Sequence, residues 1–222
     1  MKYTVENDLL STNRVLISIS DLPQEKFPDN SIVIDCSLNN SIDYFTLLVE
    51  KVPNGKLYWV FNNADIVGDV EKMLPTIEHC FVTPIFVPQI VDTVENNLLL
   101  NLLSKLDSDD FDIDVNKFVH LSTTAQISKS IVNILFFSYN EKNGLIVVSS
   151  QEECRLIDCL SFLVKKLCLP NHHKLDQIYA QSPMESKPFF IPKTSLFNTS
   201  TSSKDVLCYA VFSYKDYYHN HK

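Results

Sequence analysis

The chain has 222 residues, 45% hydrophobic and 21% charged, enough for one sizeable core or two small ones. Its formal net charge is −8 and its only arginines are Arg14 and Arg155. That excludes broad nucleic-acid binding, which rests on basic side chains neutralising phosphates. The only glycines, Gly55, Gly68 and Gly144, exclude the glycine-rich fingerprints of dinucleotide and P-loop sites.

Val15–Ser20 and Ser31–Asp35 are β-branched apolar runs bounded by Pro, Asp and Asn, and read as strands. Ser41 is placed to cap a helix through Val52, with Ile42, Phe45, Leu48 and Val49 on one face and Pro53-Asn54-Gly55 ending it. Lys56–Phe61 reads as a strand and Ala64–His79 as a helix interrupted near Pro75. Thr83–Pro88 is extended, because each proline biases the preceding residue away from helix. Gln89–Leu106 follows as a helix with Ile90, Val94, Leu98, Leu102 and Leu106 along one stripe. An acidic turn at Asp107–Asp110 lacks the spaced ligands and glycine of a calcium loop.

The second half continues the alternation: a strand at Val115–Val119, a helix at Thr124–Phe137, a strand at Gly144–Ser149 and a helix at Gln151–Leu169 stopped by Pro170. In that last helix Leu156, Leu160, Leu163 and Leu167 are expected to pack inward. Residues 171–205 read as irregular, Asp205–Tyr214 as a buried strand and residues 217–222 as a frayed tail. The expectation is one α/β domain over residues 1–222, with a mixed sheet and flanking helices. No apolar run reaches the ~20 residues of a membrane span, and no signal-peptide core follows the acid-bearing start, so a cytoplasmic location is expected. The six cysteines (36, 80, 154, 159, 168, 208) lack Cys-x-x-Cys spacing and read as small buried hydrophobes.

No residue set points to chemistry by itself. Gly-x-Ser-x-Gly is absent, which leaves a small hydrolase or transferase without a nucleophile elbow. His172-His173 lack further metal ligands at workable spacing and are expected in an exposed loop. Cys154 and Cys159 are expected to pack among leucines. No metal and no cofactor is expected.

From about Cys80 to residue 213 the chain resembles the N-terminal half of β-ketoacyl synthases, which are thiolase-like. Thr83-Pro84-Ile85-Phe86 followed by Ile90-Val91-Asp92-Thr93 looks like the segment leading into that family's interface helix. Val115–Val119 looks like the strand feeding its nucleophile elbow, Ser122-Thr123 like its paired serines, and Ile127, Ile131 and Ile134 like its apolar helix positions. Val147–Glu152 is similar to a strand with a Gly-Gly-x-Glu ending, serines replacing both glycines. Lys187-Pro188-Phe189 and the later Val206–Val211 resemble a loop and its succeeding strand. The resemblance puts His120 where the family has its nucleophilic cysteine.

The resemblance implies a non-catalytic chain-length factor, not an enzyme: the thiol is missing, and so is the family's C-terminal half with its catalytic histidines. It implies a heterodimer with an intact β-ketoacyl synthase, of the kind associated with aryl polyene synthesis, whose substrate rides on an acyl carrier protein. The implied tunnel wall is Ile90, Val91, Thr93, Val94 and Leu98 on the interface helix, with His120 and Leu121 at the elbow. The competing expectation is a non-catalytic α/β interaction or assembly module unrelated to ketosynthases.

Overall fold

The computed structural model describes residues 3–7, 15–93, 97–106, 108, 111, 114, 117–136, 143–150, 153–169, 172–181, 197–198 and 202–220. These fall into two compact units. The first holds the described residues up to Val87 and Val132–Val147; the second holds those of Pro88–Ile131, Val148–Pro192 and Phe197–Lys222.

The first unit is a parallel sheet with helices. Strands β2 (Val15–Ile19), β3 (Ile32–Asp35), β4 (Lys56–Phe61), β5 (Phe81–Phe86) and the start of β7 (Ile146–Ser149) lie side by side in that order, all parallel. At the edge, β1 (Tyr3–Asn7) pairs antiparallel with β2 in the register Tyr3↔Ile19 to Asn7↔Val15. The mixed α/β class expected from the alternation is therefore observed. All four residues of β3 and five of the six in β4 are buried, as parallel strands covered on both faces require.

Helix α1 (Ile42–Lys51) joins β3 to β4. Its cap is Ser41, whose hydroxyl accepts from the Tyr44 amide at 3.4 Å. Tyr44, Phe45, Leu48 and Val49 are its buried residues. Phe45 stacks on Trp59 (centroids 4.4 Å apart), Trp59 on Phe61 (4.5 Å), and Phe61 meets Phe86 at 5.3 Å. Such a column adds aromatic geometry to simple area burial. Gly55 is needed after α1 because a Cβ there would strike the Ser31 carbonyl, which already accepts from the Lys56 amide.

Helix α2 (Val67–Met73) is shorter than expected: Ala64–Ile66 is a 3-10 turn capped by Asn63, and Leu74–Thr76 is another. Pro75 has no amide to continue an α-helix, so the chain leaves it before His79. At the carboxyl end of β3, Asp35 is fully buried; Oδ1 accepts from the Ser37 amide at 2.9 Å, while Oδ2 has no hydrogen-bond partner among the described residues. Burial pushes this carboxyl up, with Ser37 and Tyr44 pulling the other way.

The second unit is mainly helical. It contains α3 (Leu98–Ser104), β6 (Phe118–Val119), β8 (Cys154–Arg155), α5 (Leu156–Leu167), α6 (His172–Gln181), β9 (Phe197–Asn198) and α7 (Ser203–Asn220). Helix α4 (Thr124–Phe136) starts in it. β6 and β8 pair antiparallel, and β9 pairs parallel with Val148 and Ser149. The core joins Leu99, Leu100 and Leu103 of α3, Leu160, Leu163 and Val164 of α5, and Val206, Ala210 and Tyr214 of α7.

Five expectations are corrected here. Residues 89–93 are not helical: Ile90 forms a parallel bridge to Ser122, with Val91 N donating to Ser122 O at 3.0 Å and Ser122 N to Gln89 O at 2.6 Å. β-Branched Ile90, Val91 and Thr93 suit this extended pairing better than a helix. The helix begins only after Asn97, so its leucines 99, 100 and 103 are covered by the chain's own α5 and α7, and need no partner to bury them. Second, α5 starts at Leu156, because Cys154 and Arg155 are taken up in pairing with β6. Third, residues 172–181 of the stretch read as irregular form α6, which His172-His173 begin. Fourth, Asp205–Tyr214 is helix, not strand, and the expected frayed tail is helical through Asn220. Burial at 206, 207, 210, 211 and 214 follows the helical period, and Ser202 with Asp205 caps its start: Asp205 N donates to Ser202 Oγ at 3.2 Å and Ser202 Oγ to Asp205 Oδ2 at 2.8 Å. Fifth, the cysteines are not all buried hydrophobes: only Cys80 and Cys159 are buried, Cys36, Cys168 and Cys208 are exposed and Cys154 is half-buried.

Asn97 is the buried polar node of this unit. Its Nδ2 donates to Val91 O (3.2 Å) and Thr93 O (2.6 Å); its Oδ1 accepts from Leu100 N (3.1 Å) and from the Tyr214 hydroxyl (2.8 Å). Asn97→Ala would leave the Tyr214 hydroxyl and two carbonyls without this partner, and is expected to cost about 3 kcal/mol, whereas Tyr214→Phe should cost about 1 kcal/mol. Urea unfolding of the two variants beside the parent chain measures both.

Candidate functional site

The strand-to-helix corner from β6 to α4, singled out by the resemblance, lies in the second unit. His120 to Thr123 leave β6, and Thr123 caps α4 in a reciprocal box: Gln126 N donates to Thr123 Oγ1 (3.2 Å) and Thr123 N to Gln126 Oε1 (2.9 Å). Asp92 reinforces this helix start, its carboxylate accepting from Thr124 N (2.9 and 3.1 Å) and from Thr124 Oγ1 (2.7 Å). A carboxylate at a helix N-terminus also suits the helix dipole.

His120 is 4% exposed and its Nε2 lies 3.0 Å from Glu153 Oε1. Burial lowers the imidazole pKa from its ordinary value, while Glu153 and the Ser150 backbone raise it. The neighbouring hydroxyls have structural partners. Ser122 Oγ donates to Val148 O at 2.7 Å, Ser150 Oγ accepts from Leu121 N at 3.3 Å, and Ser203 Oγ donates to Ser150 Oγ at 3.2 Å. Ser150 N in turn donates to Leu121 O at 2.7 Å. These bonds tie the ends of β6 and β7 to the start of α7. An activated nucleophile needs its proton directed to a base, whereas Ser122 directs its proton to a backbone carbonyl.

The structure gathers only part of the expected wall. Ile90 (7% exposed), Val91, His120 and Leu121 are buried within the second unit. Thr93 and Leu98 are half-buried, Leu98 as the first residue of α3. Val94 lies outside the described residues. Glu153 and Asp92 were not singled out in the sequence. No local signal pairs Thr124 with Asp92, 32 positions earlier, or His120 with Glu153, 33 positions later.

Other polar places are also committed to structure. In the first unit a cleft of about 420 Å³ is lined by Asn54, Ile77, His79, Cys80, Phe81 and Asn143, among others. Its amide groups fasten backbone: Asn143 Nδ2 donates to Leu74 O and Ile77 O, and Asn143 Oδ1 accepts from Val82 N. His79 Nε2 lies 3.1 Å from Val49 O. Among the described residues no group of three or more His, Cys, Asp or Glu could hold a metal ion, and no helix is long and apolar enough to cross a membrane.

Comparison with models of known protein families finds no match, and a search of curated proteins finds no significant match.

The lowered His120 pKa has a signed consequence. Between the folded pKa and the unfolded value of 6.5 the unfolded chain binds more protons. His120 therefore contributes stability that is fully present above pH 6.5 and is lost as the pH falls below it. Unfolding free energies measured across about pH 5–8 should show this loss in the parent chain, and His120→Gln should remove that component.

Proposed function

We propose that this chain is a non-catalytic subunit built on an α/β scaffold. The observation that carries the reading is the β6–α4 corner. There a buried histidine held by Glu153 stands in place of a nucleophile, and the hydroxyls around it serve backbone and caps.

Its specific form is a thiolase-like chain-length factor that pairs with an intact β-ketoacyl synthase and shapes the cavity for a carrier-bound acyl or polyene chain. Support comes from the ordered sequence resemblance and from the element types of β6, α4 and β7, which are those this reading needs. Residues 89–93 and 206–211 do not have the element types it needs, so the wall it implies narrows to Thr93 and Leu98 among the described residues with exposed surface. A close-packed wall of this kind would stop elongation by steric overlap.

An α/β interaction module unrelated to ketosynthases is the second reading. It is favoured by the outer face of α7, where Tyr209 (59% exposed) and Phe212 (71%) stand one turn apart as the most exposed large apolar side chains described.

Co-expression with an intact aryl-polyene-type β-ketoacyl synthase separates the two. The chain-length-factor reading predicts a co-purifying complex burying over roughly 2,000 Å². It also predicts no condensation by this chain alone, even as His120→Cys. Failure to associate, with the chain folded, removes that reading in favour of the second.

A further inference from the structure

Cys154 and Cys159 meet at the junction of β8 and α5. Cys154 pairs with Val119 in the β6–β8 ladder; Cys159 lies one turn into α5, fully buried. Their Sγ atoms are 2.9 Å apart, closer than two thiols in ordinary van der Waals contact. Disulfide bonding at about 2.05 Å therefore needs a movement of under about 1 Å. The two differ in access: Cys154 is half-buried and can meet a small reagent, whereas Cys159 is sealed beneath it. Access therefore makes Cys154 the group that attacks first, and the contact with Cys154 and burial both push the Cys159 thiol up.

We propose that Cys154 and Cys159 form a thiol pair that closes to an intramolecular disulfide on reaction with a low-molecular-weight disulfide such as oxidised glutathione. Cys154 loses its proton and attacks one sulfur of the reagent, and the reagent's S–S bond breaks to release one thiol. Cys159 then loses its proton and attacks the Cys154 sulfur, breaking the mixed disulfide and releasing the second thiol. The two protein thiols are oxidised and one reagent disulfide is reduced to two thiols, so electrons and protons balance. Glu153, the neighbour of Cys154, carries the contact to His120, so the bond would fasten to α5 the strand that adjoins this contact. The closed loop is short, so its effect is local rather than a large constraint on the unfolded chain.

The test uses the full chain with the exposed Cys36, Cys168 and Cys208 changed to Ser, leaving Cys80, Cys154 and Cys159. After exposure to oxidised glutathione under native conditions, the expected product has lost two hydrogens, and peptide mapping joins Cys154 to Cys159. In the same background Cys159→Ala should accumulate one glutathionyl group on Cys154, and Cys154→Ser should remain unmodified at Cys159. Persistent glutathionylation of the parent without ring closure, or no reaction at Cys154 in either form, would overturn the proposal. So would a disulfide that forms only after unfolding in urea.

Discussion

The carboxamide of Asn97 is the contact on which the second unit turns. It donates to the carbonyls of Val91 and Thr93, caps α3 through Leu100 and receives the Tyr214 hydroxyl of α7. A buried amide is tolerated only where its donors and acceptors find partners, and this one has two for each end. Its consequence is geometric. The extended segment 89–93 is held against residues 120–122, which leaves α3 short and turns its leucines toward α5 and α7.

The β6–α4 corner follows the same rule. Backbone that enters a helix inside a core must have its first amides satisfied, and here Thr123, Gln126 and Asp92 do so. Serines 122 and 150 fasten the neighbouring strand ends, and Glu153 satisfies the histidine. A catalytic corner would leave a hydroxyl or thiol poised toward empty space and a base. This one spends its described polar groups on holding segments together, and the proposed non-catalytic reading rests on that.

Much of the first unit was legible in the sequence because its determinants are local. Continuous apolar runs such as Ile32–Asp35 and Lys56–Phe61 become parallel strands covered on both faces, and Ser41 marks the start of α1 within one turn. The second unit was harder to read. The apolar run Val206–Val211 satisfies a strand pattern as well as a helix, and the deciding signal was the Ser202–Asp205 cap preceding it. Residues 89–106 carried leucines whose spacing extended a helix backwards over Asn97, although the cap there belongs to the helix start. The Thr123–Gln126 box is a local signal that the sequence reading does not use, whereas the pairing of His120 with Glu153 depends on β6 and β8 lying antiparallel, which no local pattern specifies.

The central claim is that the corner holds segments together and does not take up an acyl group. The most direct measurement is the intact mass of the purified chain after incubation with an acyl-phosphopantetheine thioester, with adducts mapped by peptide sequencing. The account predicts no acyl group on His120, Ser122, Thr123 or Ser150. A stoichiometric adduct on any of these four residues, lost on unfolding the chain beforehand, would contradict it.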